Sequence, residues 1–114
     1  MNGGGSTSSD WRPGASRGAM DERARLLAEI RSFFARRRVM EVETPVLSRA
    51  GNSDPNIGSM ATDDPRKRYL RTSPEYAMKR LLAAGYGDIY ELGRVFRRGE
   101  KGRQHNPEFT LLEW

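Results

Sequence analysis

Residues 88–114, DIYELGRVFRRGEKGRQHNPEFTLLEW, limit the folds open to this chain more than any other stretch. Two runs in which side-chain character alternates, 89–97 and 108–114, flank a polar segment rich in Gly, Arg and Lys. A period of two marks strands, so the stretch reads as an antiparallel hairpin with a long loop. Successive strand side chains point to opposite faces. Phe109, Leu111 and Glu113 therefore project together, and Glu108, Thr110, Leu112 and Trp114 project the other way. The turn region is cationic, with Arg94, Arg97, Arg98, Lys101 and Arg103 set against Glu100 alone, beside His105, the one histidine of the chain. If Arg97 points to the face of Phe109 and Glu113, the hairpin presents a guanidinium for phosphate or carboxylate, a ring for stacking and an anion for an ammonium. Such a set suits a nucleotide together with an amine.

Upstream, Leu26, Leu27, Ile30, Phe33 and Phe34 recur at steps of three and four, which predicts an amphipathic helix over about 21–38. Asp21 and Glu22 suit its positive N-terminal end, and Arg36, Arg37 and Arg38 its carbonyl end. Val39, Met40 and Val42 follow as a short strand stopped by Pro45, which has no N–H to give a ladder. Residues 50–67 are dense in Gly, Asn, Ser, Asp and Pro and predict one long loop. Asp54, Asp63 and Asp64 lack the spacing of a calcium loop, so no metal is expected there. Residues 69–71 read as a strand feeding a helix, with Thr72 and Glu75 spaced as a capping box, Pro74 in the first turn and Gly85 as the stop.

At 114 residues and 36% hydrophobic content the chain is at most one small domain with a modest core. The absence of cysteine excludes disulfides and thiolate metal sites. The first residues lack the apolar core of a signal peptide, and no apolar run approaches the roughly 18 residues of a spanning helix, so the expected location is cytoplasmic. A net charge of +5 suits a polyanionic partner in general terms. Residues 1–10 are Gly/Ser-rich and predict a disordered tail, while Trp11-Arg12-Pro13 predicts an anchor docked on the domain. The expected division is a leader over 1–19 and a domain over 20–114. Trp114 closes an alternating run with no turn or cap after it, so the sequence is expected to be the N-terminal piece of a longer protein.

Several of these segments resemble one family. FRRGEKGRQHNPEF at 96–109 is similar to motif 2 of the class II aminoacyl-tRNA synthetases, and VETPVL at 42–47 to motif 1. TSPEYAMKRLL and TLLEW resemble the lysyl branch of that class, and with WRPGAS they look most like its paralogues that attach a lysine-type residue to elongation factor P. The likeness runs over roughly residues 11–114. It implies an α/β (α+β) fold of the class II kind, an antiparallel sheet with flanking helices, truncated after motif 2. It also implies ATP-dependent activation of lysine or β-lysine as an aminoacyl-adenylate and transfer to elongation factor P, with charging of tRNA as the alternative.

Carried onto this chain, the resemblance makes Arg97 the catalytic residue, bridging the amino-acid carboxylate and the ATP α-phosphate. His105 would lie near the outer phosphates, Phe109 would stack on adenine, Glu113 would hold the distal ammonium, and Glu75 the α-amino group. Spacing alone reads Glu75 as a helix cap. Motif 1 implies a homodimer with Phe33, Phe34 and Pro45 at its interface, where spacing alone reads a core helix. Motif 3 and the ligands of Mg2+ are expected beyond residue 114. One departure stands out: motif 2 usually runs Phe-Arg-x-Glu, whereas here Gly99 intervenes and Glu100 is displaced by one, which reverses strand facing and leaves it to adenine or a metal-bound water from the loop.

Taken singly, His105, Phe109 and Glu113 are ordinary surface or strand residues; what distinguishes them is their joint spacing within one motif on a cationic hairpin. Only about forty residues precede VETP, too few for an OB-type anticodon domain, so elongation factor P is the expected acceptor. A competing reading without catalysis is a small basic RNA-binding module, against which the acids Glu75, Glu108 and Glu113 weigh.

Overall fold

The computed structural model describes residues 11–50, 58–98 and 106–114. It divides the chain into two compact units, Met1–Phe33 and Phe34–Trp114. In chain order the elements are α1 (Arg17–Arg36), β1 (Met40–Glu41), β2 (Leu47–Ser48), β3 (Met60–Ala61), β4 (Tyr69–Leu70), α2 (Glu75–Ala83), β5 (Ile89–Phe96) and β6 (Glu108–Glu113).

In the first unit the helix begins at Arg17, inside the expected leader and ahead of the acidic pair. Ser16 sets that start: its Oγ accepts the Ala19 N–H at 3.1 Å and its carbonyl accepts the Met20 N–H at 3.1 Å. Asp21 does not mark the helix end but ion-pairs with Arg17 one turn back, at 3.1 Å. Trp11 is 80% exposed, with the Arg12 guanidinium 5.1 Å from its ring centroid. The apolar stripe is narrower than its spacing suggests, because Leu26 and Phe33 are exposed while Leu27 and Ile30 are half-buried. The proposed tail over 1–10 lies outside the described residues.

The second unit opens on the last turn of α1. There the Val39 N–H reaches the Phe34 carbonyl at 3.0 Å and the Arg38 N–H the Ala35 carbonyl at 3.1 Å, the two bonds of a Schellman ending. Arg38 takes the left-handed position (φ 60°) that glycine usually fills. The helix thus stops at Arg36, and the arginine cluster forms the exposed turn out of it.

Strand β5 is the centre of this unit. It pairs antiparallel with β6 over Glu91–Phe96 and parallel with β1 through Met40↔Ile89 and Glu41↔Tyr90. The sheet is therefore mixed, not antiparallel throughout. A parallel pair needs a long crossover, and residues 42–88 supply one that holds β2, β3, β4 and α2. The second sheet, in the order β2-β4-β3, is antiparallel. Its β3 falls inside the stretch expected to be a loop: Met60 and Ala61 pair with Leu70 and Tyr69, and the turn is tied by Arg68 N–H to Thr62 Oγ1 at 2.9 Å. A two-residue strand carries no readable period. Residues 51–57, with Asp54, lie outside the description.

Helix α2 starts two residues later than the capping-box spacing implies, and without that box. Its N-cap is Pro74, no side chain caps it, and the Glu75 N–H is met by Ser73 Oγ at 3.3 Å. Its exit is as expected, with Gly85 at φ 90°. Among the described residues the large buried apolar side chains are Phe34, Met78, Ile89, Tyr90 and Val95. Among the described residues no helix is long and apolar enough to cross a membrane.

Candidate active site

The hairpin register sets the site. Val95 lies opposite Phe109, Gly93 opposite Leu111 and Glu91 opposite Glu113. Directly opposed residues share a face, so these six project together, and Arg97 continues the same parity past the end of β5. Its guanidinium carbon lies 5.3 Å from the Phe109 ring centroid, within cation–π range. Its Nε donates to the Thr72 carbonyl at 3.3 Å. Arg97 thus joins the Phe109 ring to the turn that leads into α2. Glu113 lies on the same face and, among the described residues, has no ion-pair partner.

Arg94, counted with the cationic tip from sequence, belongs to the opposite face. Its Nε pairs with Glu108 at 3.1 Å and its Nη1 donates to Thr110 Oγ1 at 3.0 Å. The period of two dictates this, since Arg94 and Arg97 differ by an odd number of positions. Glu108 is accordingly engaged by Arg94. Glu100 and His105 lie outside the described residues.

On the same face of β5 sits a group that sequence reading did not single out. Arg71 and Glu91 form an ion pair of 2.8 Å, with side chains 7% and 3% exposed. The Glu91 carboxylate also accepts the Thr44 hydroxyl at 2.6 Å and the Thr44 N–H at 3.2 Å. Arg71 Nη1 donates to Thr44 Oγ1 at 3.0 Å, and Nε to the Arg94 carbonyl at 2.9 Å. Two buried charges are costly to desolvate, and they are tolerated when each is paired and hydrogen-bonded as here. Gly93 makes the room: a Cβ built there would run into the Arg71 guanidinium and lie 3.2 Å from Glu91 Oε2. The available signal was Glu91 within the otherwise apolar IYEL run, followed two positions later by a glycine on the same face.

Glu75 sits on the exposed first turn of α2, where its carboxylate holds Lys79 at 3.0 Å. The hydrogen bond and charge of Glu75 raise the Lys79 pKa above the usual lysine value. The two carboxylates expected to bracket a diamine are thus in different states: Glu75 carries an ammonium of its own chain, and Glu113 carries none from the described residues.

Of the residues expected at a subunit interface, Phe34 is engaged within the chain, 6% exposed and stacked on Tyr90 at 4.2 Å between centroids. Phe33 and Pro45 are exposed. Pro45 lines a groove of about 840 Å³ between residues 43–50 and α2, with Leu47, Tyr76 and Leu81; Arg97, Phe109 and Glu113 are not part of it. Among the described residues no group of three or more His, Asp or Glu side chains could hold a metal ion.

Comparison with known proteins identifies the family. Residues 7–114 match the family of class II tRNA synthetases (D, K and N). The chain is 52% identical over 95% of its length to the elongation factor P–(R)-β-lysine ligase of Vibrio cholerae, covering 36% of that protein. The ligases of the same name from Photorhabdus laumondii (52% over 96% of the chain) and Buchnera aphidicola (49% over 91%) are covered to 36% and 35%. The chain spans about a third of the length of these relatives. It belongs to the class II tRNA synthetase family.

Proposed function

We propose that the chain is part of an ATP-dependent ligase that activates lysine or β-lysine as an aminoacyl-adenylate and transfers it to a lysine of elongation factor P. The observation that carries this reading is the set on one hairpin face: the Arg97 guanidinium against the Phe109 ring, with Glu113, which has no ion-pair partner among the described residues, on the same strand as that ring. In the first half-reaction a carboxylate oxygen of the amino acid attacks the α-phosphorus of ATP and pyrophosphate leaves. Arg97 offers its charge to the α-phosphate and the incoming carboxylate, where negative charge accumulates. Phe109 supplies a stacking surface for adenine, and Glu113 an anion for the distal ammonium. In the second half-reaction the acceptor amine attacks the carbonyl carbon, AMP leaves, and the nitrogen gives up a proton.

The relatives' names support elongation factor P as acceptor over tRNA. Cytoplasmic location, a homodimer with Phe33 and Pro45 near its interface, the α-amino role of Glu75 and the nucleotide roles of Glu100 and His105 are parts of the same proposal. Mg2+ would accompany ATP, and no step is assigned to it. The test is transfer of radiolabelled lysine and β-lysine by the complete enzyme to elongation factor P and to tRNA in parallel. Labelling of elongation factor P is expected; charging of tRNA alone would overturn the assignment.

A further inference from the structure

We propose that Arg71 is a positioning residue for Arg97, acting through a buried set of bonds that joins the VETP segment, the turn into α2 and strand β5. The inference rests on the adenylation reading above and adds a residue to it. Arg71 binds β5 twice over. Its Nε donates to the Arg94 carbonyl at 2.9 Å, and its own carbonyl accepts the Phe96 N–H at 2.9 Å, so side chain and backbone both grip the strand just before Arg97. The next residue, Thr72, then offers its carbonyl to Arg97 Nε at 3.3 Å. The Arg71 N–H donates to the Val46 carbonyl at 2.9 Å, and Nη1 reaches Thr44 and Glu91, so the turn cannot slide along β5 without breaking the ion pair.

The shape of the guanidinium decides the role. A lysine at 71 would keep the charge opposite Glu91, but a single ammonium cannot reach Glu91, Thr44 and the Arg94 carbonyl from one planar fork. The turn bearing the Thr72 carbonyl would then be held less firmly, and Arg97 with it. Displacement of a group acting on the reacting phosphate by a fraction of an ångström lowers the chemical rate more than ground-state binding. Arg71 need not touch substrate to have this effect.

The experiment compares wild type, Arg71→Lys and Thr44→Val in the complete enzyme by rapid-quench measurement of adenylate formation. The burst amplitude counts competent sites and the burst rate reports the chemistry at each. The expected result for Arg71→Lys is a burst amplitude near that of wild type with a rate per site lowered about tenfold or more, and lysine and ATP affinities changed less. Thr44→Val keeps the shape and the Thr44 N–H while removing the hydroxyl that bridges Arg71 and Glu91, so a smaller loss of rate per site is expected. A purely structural role predicts the opposite pattern, with reduced amplitude and unchanged rate per site, and that result overturns the inference. If Arg71→Lys does not fold, Thr44→Val decides: a lowered rate per site supports positioning and an unchanged one refutes it. Absence of any lysine- or β-lysine-dependent burst in wild type would instead refute the functional reading on which the inference rests.

Discussion

The two faces of the β5–β6 hairpin come from one alternation and are completed by different physics. On the face of Tyr90, Leu92 and Leu112, the ring of Phe34 stacks on Tyr90 at 4.2 Å and tilts against Trp114 at 6.2 Å. That face is held by apolar burial, which is non-directional and tolerates exchange of one hydrophobe for another of similar size. On the face of Glu91, Gly93 and Val95, the same strand accommodates an ion pair whose geometry depends on Thr44, on Arg71 and on a missing Cβ. Directional bonds to charged groups fix positions that apolar contact leaves adjustable. It is on this second face that Arg97, Phe109 and Glu113 lie. Such bonds set the angle of a side chain more closely than aliphatic contacts do.

The contrast is most easily broken at Glu91. Replacement by alanine leaves the Arg71 guanidinium buried without its partner, and the loss of such a partner costs about 3–5 kcal/mol. Denaturant unfolding of the complete enzyme measures it. Replacing both members together, Arg71→Met with Glu91→Leu, should restore a large part of that stability and none of the adenylation. If Glu91→Ala unfolds within about 1 kcal/mol of wild type, the pair does not carry the weight given to it here.

On the other face, Phe34→Ala removes a ring that is 6% exposed and should cost about 3 kcal/mol by the same measurement. Phe34→Leu should cost much less, since the site needs volume more than orientation. Adenylation per folded site should hardly change in either. A rate loss in Phe34→Leu at full folding would mean that the two faces are coupled.

What could be seen from sequence follows the same line. The hairpin and the common face of Phe109 and Glu113 were legible because a strand's period is short and local, whereas the register that brings Arg97 to that face came only from the pairing of Val95 with Phe109. The exit of α2 at Gly85 was legible because one left-handed residue needs one glycine. The buried pair was not, because its members lie far apart: Arg71, Glu91 and Thr44 meet only after β1 pairs with β5 across a long crossover. Thr72 and Glu75 have the spacing of a capping box, yet Thr72 is buried and its carbonyl serves Arg97, so tertiary packing overrode a local rule. Arg38 likewise has no sequence signal, since its left-handed turn is enforced by the chain's need to leave α1 and enter β1.

Within the polar face, Arg97 is expected to matter for chemistry and little for stability. Arg97→Ala in the complete enzyme should slow adenylate formation about a hundredfold, or roughly 2.7 kcal/mol of activation free energy, with a smaller effect on lysine binding. Single-turnover kinetics separates the two. Glu113→Gln should do the reverse, weakening binding of lysine or β-lysine while leaving ATP affinity near wild type, because only the ammonium loses its counter-charge. An equal loss for ATP would make Glu113 structural.

The smallest effect belongs to Arg94, and its smallness is informative. Arg94 is three positions before Arg97 on the same strand and carries the same guanidinium, so composition cannot tell them apart. Its side chain is 49% exposed and pairs with an equally exposed Glu108 on the apolar side of the hairpin. An exposed pair of this kind is worth well under about 1 kcal/mol, partly lost to side-chain entropy and screened by salt. Arg94→Ala should therefore lower stability slightly, more at low ionic strength than at high, and leave the rate of adenylate formation within about twofold of wild type. Measured beside Arg97→Ala, it asks whether facing alone separates the arginine proposed to act in adenylation from a surface one. A rate loss at Arg94 comparable to that at Arg97 would mean that the total charge of the hairpin, and not the geometry of one face, drives the chemistry. In that case the steep salt dependence expected of a general polyanion-binding tip should appear in both variants' parent enzyme.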